Sequence, residues 1–177
     1  MELWDLYDEK RKPLGLTHVR GVPLDGGTYH LIVDIWTITP DGKILLTQRH
    51  PDKTYGLKWE CTGGSVLAGE SSLEGVLREL EEEVGIKAKP EEVMLMDTVR
   101  LVDRFVDTYI NWRPVKLSEL KLQDTEVVDA RLVTYEELCR EWEAGKVMPR
   151  RFARYREKLK RFVEMDGRNR KNIVKSL

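Results

Sequence analysis

Glu79, Glu82 and Glu83 stand at i, i+3 and i+4, the spacing that puts three carboxylates on one face of a helix. A helix is expected from about Ser71, because Ser71 and Glu74 have the separation of a capping box. Leu73, Val76, Leu77, Leu80 and Val84 then line the other side, as docking on a core requires. Gly85 follows the last turn, where a left-handed cap favours glycine, and Ile86 resumes an apolar run. Like charges at these spacings destabilise a helix by roughly 0.2–0.5 kcal/mol per pair unless a cation sits among them. Hard oxygen donors suit Mg²⁺ or Mn²⁺, and Mg²⁺ is commonly shared between a few carboxylates and substrate phosphate. Arg78, beside the triplet, can orient a carboxylate through its planar fork. The plain alternative is a solvated acidic face.

The triplet belongs to a longer pattern. From Gly64 the chain runs Gly, five residues, Glu70, seven residues, Arg78-Glu79-Leu80, one residue, Glu82-Glu83, one residue, Gly85-Ile86. This resembles the Nudix box, Gx5Ex7REUxEExGU with U aliphatic, and every fixed position is matched. The resemblance implies a Nudix-type α/β/α sandwich, a divalent cation, and a hydrolase that cleaves a nucleoside diphosphate linked to another group by attack of water at phosphorus. It also implies metal binding by Glu79, Glu82 and Glu83 with the Gly63 carbonyl, and a possible second role for Glu79 as base. Arg78 and Glu70 match positions that orient the helix and its ligands. In this superfamily the base can also come from a later loop, where Glu126 and Glu119 are candidates; each also reads as an exposed loop carboxylate. Arg49, ending its strand beside the box-facing loop, is a candidate contact to substrate phosphate. Arg20, Tyr29, Arg104 and Trp112 are further candidates for recognising the rest of the substrate, although a Trp on a strand ordinarily packs.

Residues 2–50, opening ELWDLYDEKRKPLG and continuing through His18, Arg20 and Tyr29-His30, resemble the isopentenyl-diphosphate isomerase branch of the same superfamily. The isomerases carry a cysteine just before the box glycine and a histidine just after it. Here those places hold Gly63 and Ser65, Cys61 lies two residues too early, and the REUxEE core is intact. The reading is therefore a hydrolase with an isomerase-like N-terminal extension.

The elements that must position these residues are legible in outline. The 177 residues, 41% hydrophobic and 34% charged, describe one soluble globular domain, with residues 1–28 as a hairpin extension and 146–177 as a basic C-terminal helix. No membrane span or leader pattern stands out, and two cysteines form neither a disulfide framework nor a zinc spacing, so cytosol is the expected setting. Residues 146–177 hold twelve Lys/Arg against three Asp/Glu in a chain of net charge −1. That excess fits either a solvated amphipathic helix or a nucleic-acid-associated regulatory module. The expected partner is a small diphosphate, with nucleic acid disfavoured, no membrane, and a homodimer carried over from the superfamily.

Strands are expected at residues 2–7, 14–19, 29–39, 43–49, 59–62, 93–102, 105–112 and 127–133, with Asp41-Gly42 turning the 29–39 run into its hairpin partner. Residues 116–121 fit a strand or a loop. Thr134 and Glu137 start a second helix that Gly145 stops, and 150–165 form a third with Phe152, Tyr155, Leu159, Phe162 and Val163 on its apolar side. The end, 166–177, is expected to fray. Strands around one box helix with closing helices make an α+β fold, a mixed sheet covered by helices. Gly75, inside the box helix, is expected to mark close packing on a strand.

Overall fold

The computed structural model describes residues 2–165. The strands are β1 (Leu3–Tyr7), β2 (Pro13–Val19), β3 (His30–Ile38), β4 (Ile44–Arg49), β5 (Trp59–Glu60), β6 (Thr62–Ser65), β7 (Val93–Arg100), β8 (Arg104–Trp112) and β9 (Val127–Val133). The helices are α1 (Ser72–Val84), α2 (Tyr135–Glu143) and α3 (Pro149–Glu164). No helix among the described residues is long and apolar enough to cross a membrane.

β3 is the centre of the mixed sheet. It runs parallel to β8 from His30↔Arg104 to Ile38↔Trp112, and β7 closes that edge antiparallel. Alternation along β3 divides the core between two faces. Leu31, Val33 and Ile35 pack with Val76, Leu80 and Val84 of α1. Trp36 and Ile38 pack on the other face with Leu138 of α2 and with Phe152 and Leu159 of α3. Burying such a side chain contributes roughly 1.5–3 kcal/mol, so both helix layers are held by apolar contact. This is the expected three-layer α+β sandwich.

One pairing differs from the sequence expectation. β3 and β4 meet only at Ile38↔Ile44, rather than along a full hairpin. Beyond that point β6 takes the edge of β3, pairing from Ile32↔Ser65 to Ile35↔Thr62, while β4 pairs with β5 and β9. Gly63 permits the substitution: a Cβ there would lie 2.3 Å from the Val33 carbonyl oxygen. The two halves of the sheet splay apart, and the gap between them is where the box loop enters.

Local signals set the helix ends. Ser71 caps α1 with a complete capping box, and Gly85 ends it at φ 72. Gly75 is close-packed as expected, since a Cβ would approach Val66 Cγ2 at 3.0 Å. Leu73 and Leu77 are only partly buried, so the docked stripe is narrower than the pattern suggested. Thr134 caps α2 in the same way, and Pro149 opens α3. The ambiguous stretch 116–121 contains a single 3₁₀ turn at Leu117–Glu119. The expectation for 166–177 lies outside the described residues.

The β1–β2 hairpin docks beside the box loop. Tyr7 and Tyr29 exchange backbone hydrogen bonds of 2.8 and 2.9 Å. Ala68 N donates to Leu3 O, and Gly69 N to Asp5 Oδ2, each at 2.8 Å. At the hairpin turn, Arg11 donates twice to buried Asp107 of β8. Asp107 also accepts from Thr98 Oγ1 and from Ser72 Oγ, in the first turn of α1. The extension is thereby tied to the start of the acidic helix.

Candidate active site

The three box glutamates share one side of α1 but do not converge on one point. Glu83 is 7% exposed and accepts a hydrogen bond from Gly63 N at 3.3 Å. Glu79 is 13% exposed and lies against Gly64, where a Cβ would come within 2.3 Å of Glu79 Oε1. Glu82 turns outward, 47% exposed. Arg78 bridges one sunken member and the outer one. Its Nη1 donates to Glu79 Oε1 and Glu82 Oε2, both at 2.9 Å, while Nε and Nη2 hold Glu70 at 2.7 and 3.1 Å. Nη2 also reaches the Ser65 carbonyl at 2.9 Å. Arg78 and Glu70 therefore brace the box loop against the helix, as the motif implied. Among the described residues no three His, Cys, Asp or Glu side chains stand close enough to form a ready cation cage. The shared helix face thus carries two sunken carboxylates and one outer one, with Arg78 Nη1 bridging Glu79 and Glu82.

The donor set nonetheless suits a hard divalent cation. Burial, then the charges of Glu60 and Glu79, push Glu83 up to about 8. Burial also raises Glu79, against the pull of Arg78. Carboxylates taken out of water beside one another are costly to ionise unless positive charge is shared between them. The close approach of Glu79 to Gly64 leaves room for oxygen donors and none for a side chain.

Sequence reasoning missed a second charged group beside them. Glu60 of β5 is buried between two arginines: Arg49 of β4 donates to Oε1, and Arg151 of α3 lies 2.8 Å from Oε2. Arg151 also stands 3.3 Å from Asp34 Oδ1 and donates to the Cys61 carbonyl at 3.2 Å. Arg49 is further fixed by donating from Nε to Thr54 O at 3.0 Å. Arg49 is therefore a largely buried, doubly anchored side chain. The amphipathic α3 docks by its apolar side as expected, but it also sends Arg151 inward, and the only signal for this in the sequence is its place one residue before buried Phe152.

The box glutamates, Arg49, Arg78 and Arg151 line one cavity of about 550 Å³, with Asp34 and Glu60 behind its wall. Its floor is Gly63, Gly64, Ser65 and the box glutamates, and Arg49, Arg78 and Arg151 line its sides. Glu126 also lines it, paired with Lys53 of the loop after β4. The far wall comes from the extension: Trp4 stacks on His30 at 4.0 Å and 11°, and Arg20, paired with Glu2, and Arg104, paired with Asp103, stand nearby. Burial, then Arg104, pulls His30 down to about 4, keeping the stacked imidazole neutral at ordinary pH. Other candidates fall elsewhere. Glu119 pairs with Lys116 and does not line this cavity. Trp112 packs on Phe162 at 5.8 Å, and Tyr29 on Phe105 at 5.3 Å, so both are partly buried packing residues at the core's edge. Cys61 is buried in the core and does not line the cavity, and burial raises its thiol well above the ordinary range.

The family model for the NUDIX domain matches residues 28–155. An uncharacterised Nudix hydrolase of Listeria monocytogenes is 36% identical over 151 residues, covering 84% of this chain and 89% of that protein. A solved protein of Deinococcus radiodurans has the same fold, with a TM-score of 0.69 at 19% identity over 82% of this chain and 91% of that one. The NUDIX domain of Shewanella oneidensis NrtR, solved with ADP ribose, gives a TM-score of 0.52 at 21% identity, over 62% and 75% of the two chains.

Proposed function

The chain belongs to the Nudix family and hydrolyses a pyrophosphate bond, and on that premise we propose that it cleaves a nucleoside diphosphate joined to another group, with Mg²⁺ or Mn²⁺ as the cation. The observation that carries this reading is the pair of sunken carboxylates, Glu79 and Glu83, under glycine backbone on the floor of a cavity lined by five arginines. Glu79, Glu82, Glu83 and the Gly63 carbonyl would hold the cation. When bound, it neutralises the diphosphate and the charge that develops on the departing phosphate.

The chain's own groups do the rest. Arg78 keeps Glu79 and Glu82 in fixed orientations through one guanidinium nitrogen. Arg49 lines the cavity with its guanidinium anchored at two points, so it meets a phosphoryl oxygen without first being ordered. The attacking water must lose a proton to a carboxylate within hydrogen-bond reach. Glu126, at the cavity edge, takes that role once a substrate phosphate draws Lys53 away, and Glu79 is the alternative base on the floor. The Trp4–His30 wall offers a flat apolar surface to the group beyond the diphosphate.

A diphosphate panel with Mg²⁺ and Mn²⁺, from ADP-ribose and nucleotide sugars to dinucleotides and isopentenyl diphosphate, tests the reading. Release of a nucleoside monophosphate from one member is the expected result. Allylic diphosphate formed without phosphate release, or no turnover of any nucleotide, refutes it.

A further inference from the structure

Arg151 lies 90 residues beyond Cys61 in the chain, yet it joins three acceptors next to the box. Asp34 belongs to β3, Glu60 to β5, and the Cys61 carbonyl to the link between β5 and β6. Asp34 is also the register partner of Gly63 in the β3–β6 ladder. Arg151 therefore grips both strands at the step where Gly63 lies, and Gly63 N is the backbone donor to Glu83. Arg49 donates to the other oxygen of Glu60, so each oxygen of that carboxylate faces a guanidinium. The helix that carries Arg151 is itself fixed, since Phe152, Tyr155 and Leu159 are fully buried.

We infer that Arg151 is a positioning residue of the hydrolytic site: it clamps Asp34, Glu60 and the Cys61 carbonyl together and thereby sets where Gly63 and Glu83 sit. The inference rests on the cation-assisted hydrolysis proposed above. It gives the C-terminal helix a part in the chemistry without requiring it to touch substrate. The planar guanidinium matters because its separate nitrogens face different acceptors, Nε toward Asp34 and Nη1 toward Glu60 and the Cys61 carbonyl, whereas an ammonium presents a single nitrogen.

Arg151→Lys is the test, since it keeps the charge and gives up the fork. Mn²⁺ alone is the first probe, with binding to the full chain read from the electron paramagnetic resonance of the free ion. Mn²⁺ affinity and kcat should each fall by about 10–100-fold, as for other groups that orient metal-bearing side chains, while KM stays within about threefold. In a Glu60→Gln background the lysine should add less than about twofold, because the two residues act as one unit. Unchanged Mn²⁺ affinity and kcat in Arg151→Lys overturns the inference. So does a raised KM with unchanged kcat, which makes Arg151 a substrate contact, and so does full additivity with Glu60→Gln. If Arg151→Lys does not fold, Glu60→Gln alone decides, with the same losses supporting the clamp and wild-type values refuting it. Wild-type protein that binds no Mn²⁺ defeats the metal reading and this one together, whereas wild-type binding without any turnover defeats only the substrate assignment.

Discussion

α1 and α3 flank the same sheet, reach the same cavity and are both held by apolar contact, but their polar attachments differ. α1 is anchored at its first turn, by the Ser71–Glu74 capping box and the Ser72–Asp107 hydrogen bond, and it carries its chemistry two turns later at Glu79, Glu82 and Glu83. α3 reaches the site through Arg151, which serves at once as an attachment and as a part of the site. Anchoring and chemistry are therefore separable in α1 and merged in α3. Substitutions on α1 should move stability or turnover, one at a time; Arg151 should move both.

The largest separation is expected at the acidic face. Glu83→Gln and Glu82→Gln should each lower kcat by about 10³-fold, a loss of about 4 kcal/mol of transition-state stabilisation. Both should melt cooperatively near the wild-type temperature. Glu83 tests more, because it is the sunken member with a backbone donor, whereas Glu82 is half exposed and bonded to Arg78. Steady-state rates with a fixed Mg²⁺ concentration decide the matter, and unchanged turnover in both variants removes the box from the chemistry.

The opposite behaviour is expected at the anchor. Asp107→Ala leaves Arg11, Ser72 and Thr98 without their common acceptor in a buried place. A cost of about 3 kcal/mol in urea unfolding follows, with kcat of the folded fraction preserved. Ser71→Ala removes one cap bond from the same end and should cost about 1 kcal/mol, again with kcat preserved. Loss of turnover in either variant, at temperatures where it is folded, joins anchoring to chemistry in α1 and dissolves the contrast with α3.

The same contrast explains which parts were legible in the sequence. The box helix is a local object: its caps, its apolar stripe and its three glutamates are separated by fixed numbers of residues, so periodicity alone located Ser71, Gly85 and the shared face. The mixed sheet covered by helices followed from strand and helix order, and its α/β/α layering from the resemblance of the box. What periodicity could not supply was any contact across the chain. Glu60 reads as one residue of a short extended run, Asp34 as a polar interruption in an apolar strand, and Arg151 as one of twelve basic residues near the end. Only the splaying of β3 from β4, which lets β6 and β5 enter between them, brings the three together. The outward turn of Glu82 escaped for a similar reason, since helical spacing places a Cβ but not the end of a long side chain bonded to Arg78.

If α3 owes its part in the site to Arg151 alone, its other cations should be dispensable, and Lys158 is the sharpest case. It stands seven residues on, two turns from Arg151, and pairs with Asp97 of β7 at 2.7 Å. The geometry is as good as that of many buried pairs, but the lysine side chain is half exposed. Solvent screens such a pair and its flexible stem loses entropy on fixing, so the net contribution is within about 0.5 kcal/mol. Lys158→Ala should therefore leave the urea midpoint nearly unchanged, and kcat, KM and Mn²⁺ affinity at wild-type values. A fall in turnover comparable with that of Arg151→Lys would mean that the position of α3 as a whole is set by its charges, and that the buried Phe152, Tyr155 and Leu159 do not suffice to hold it.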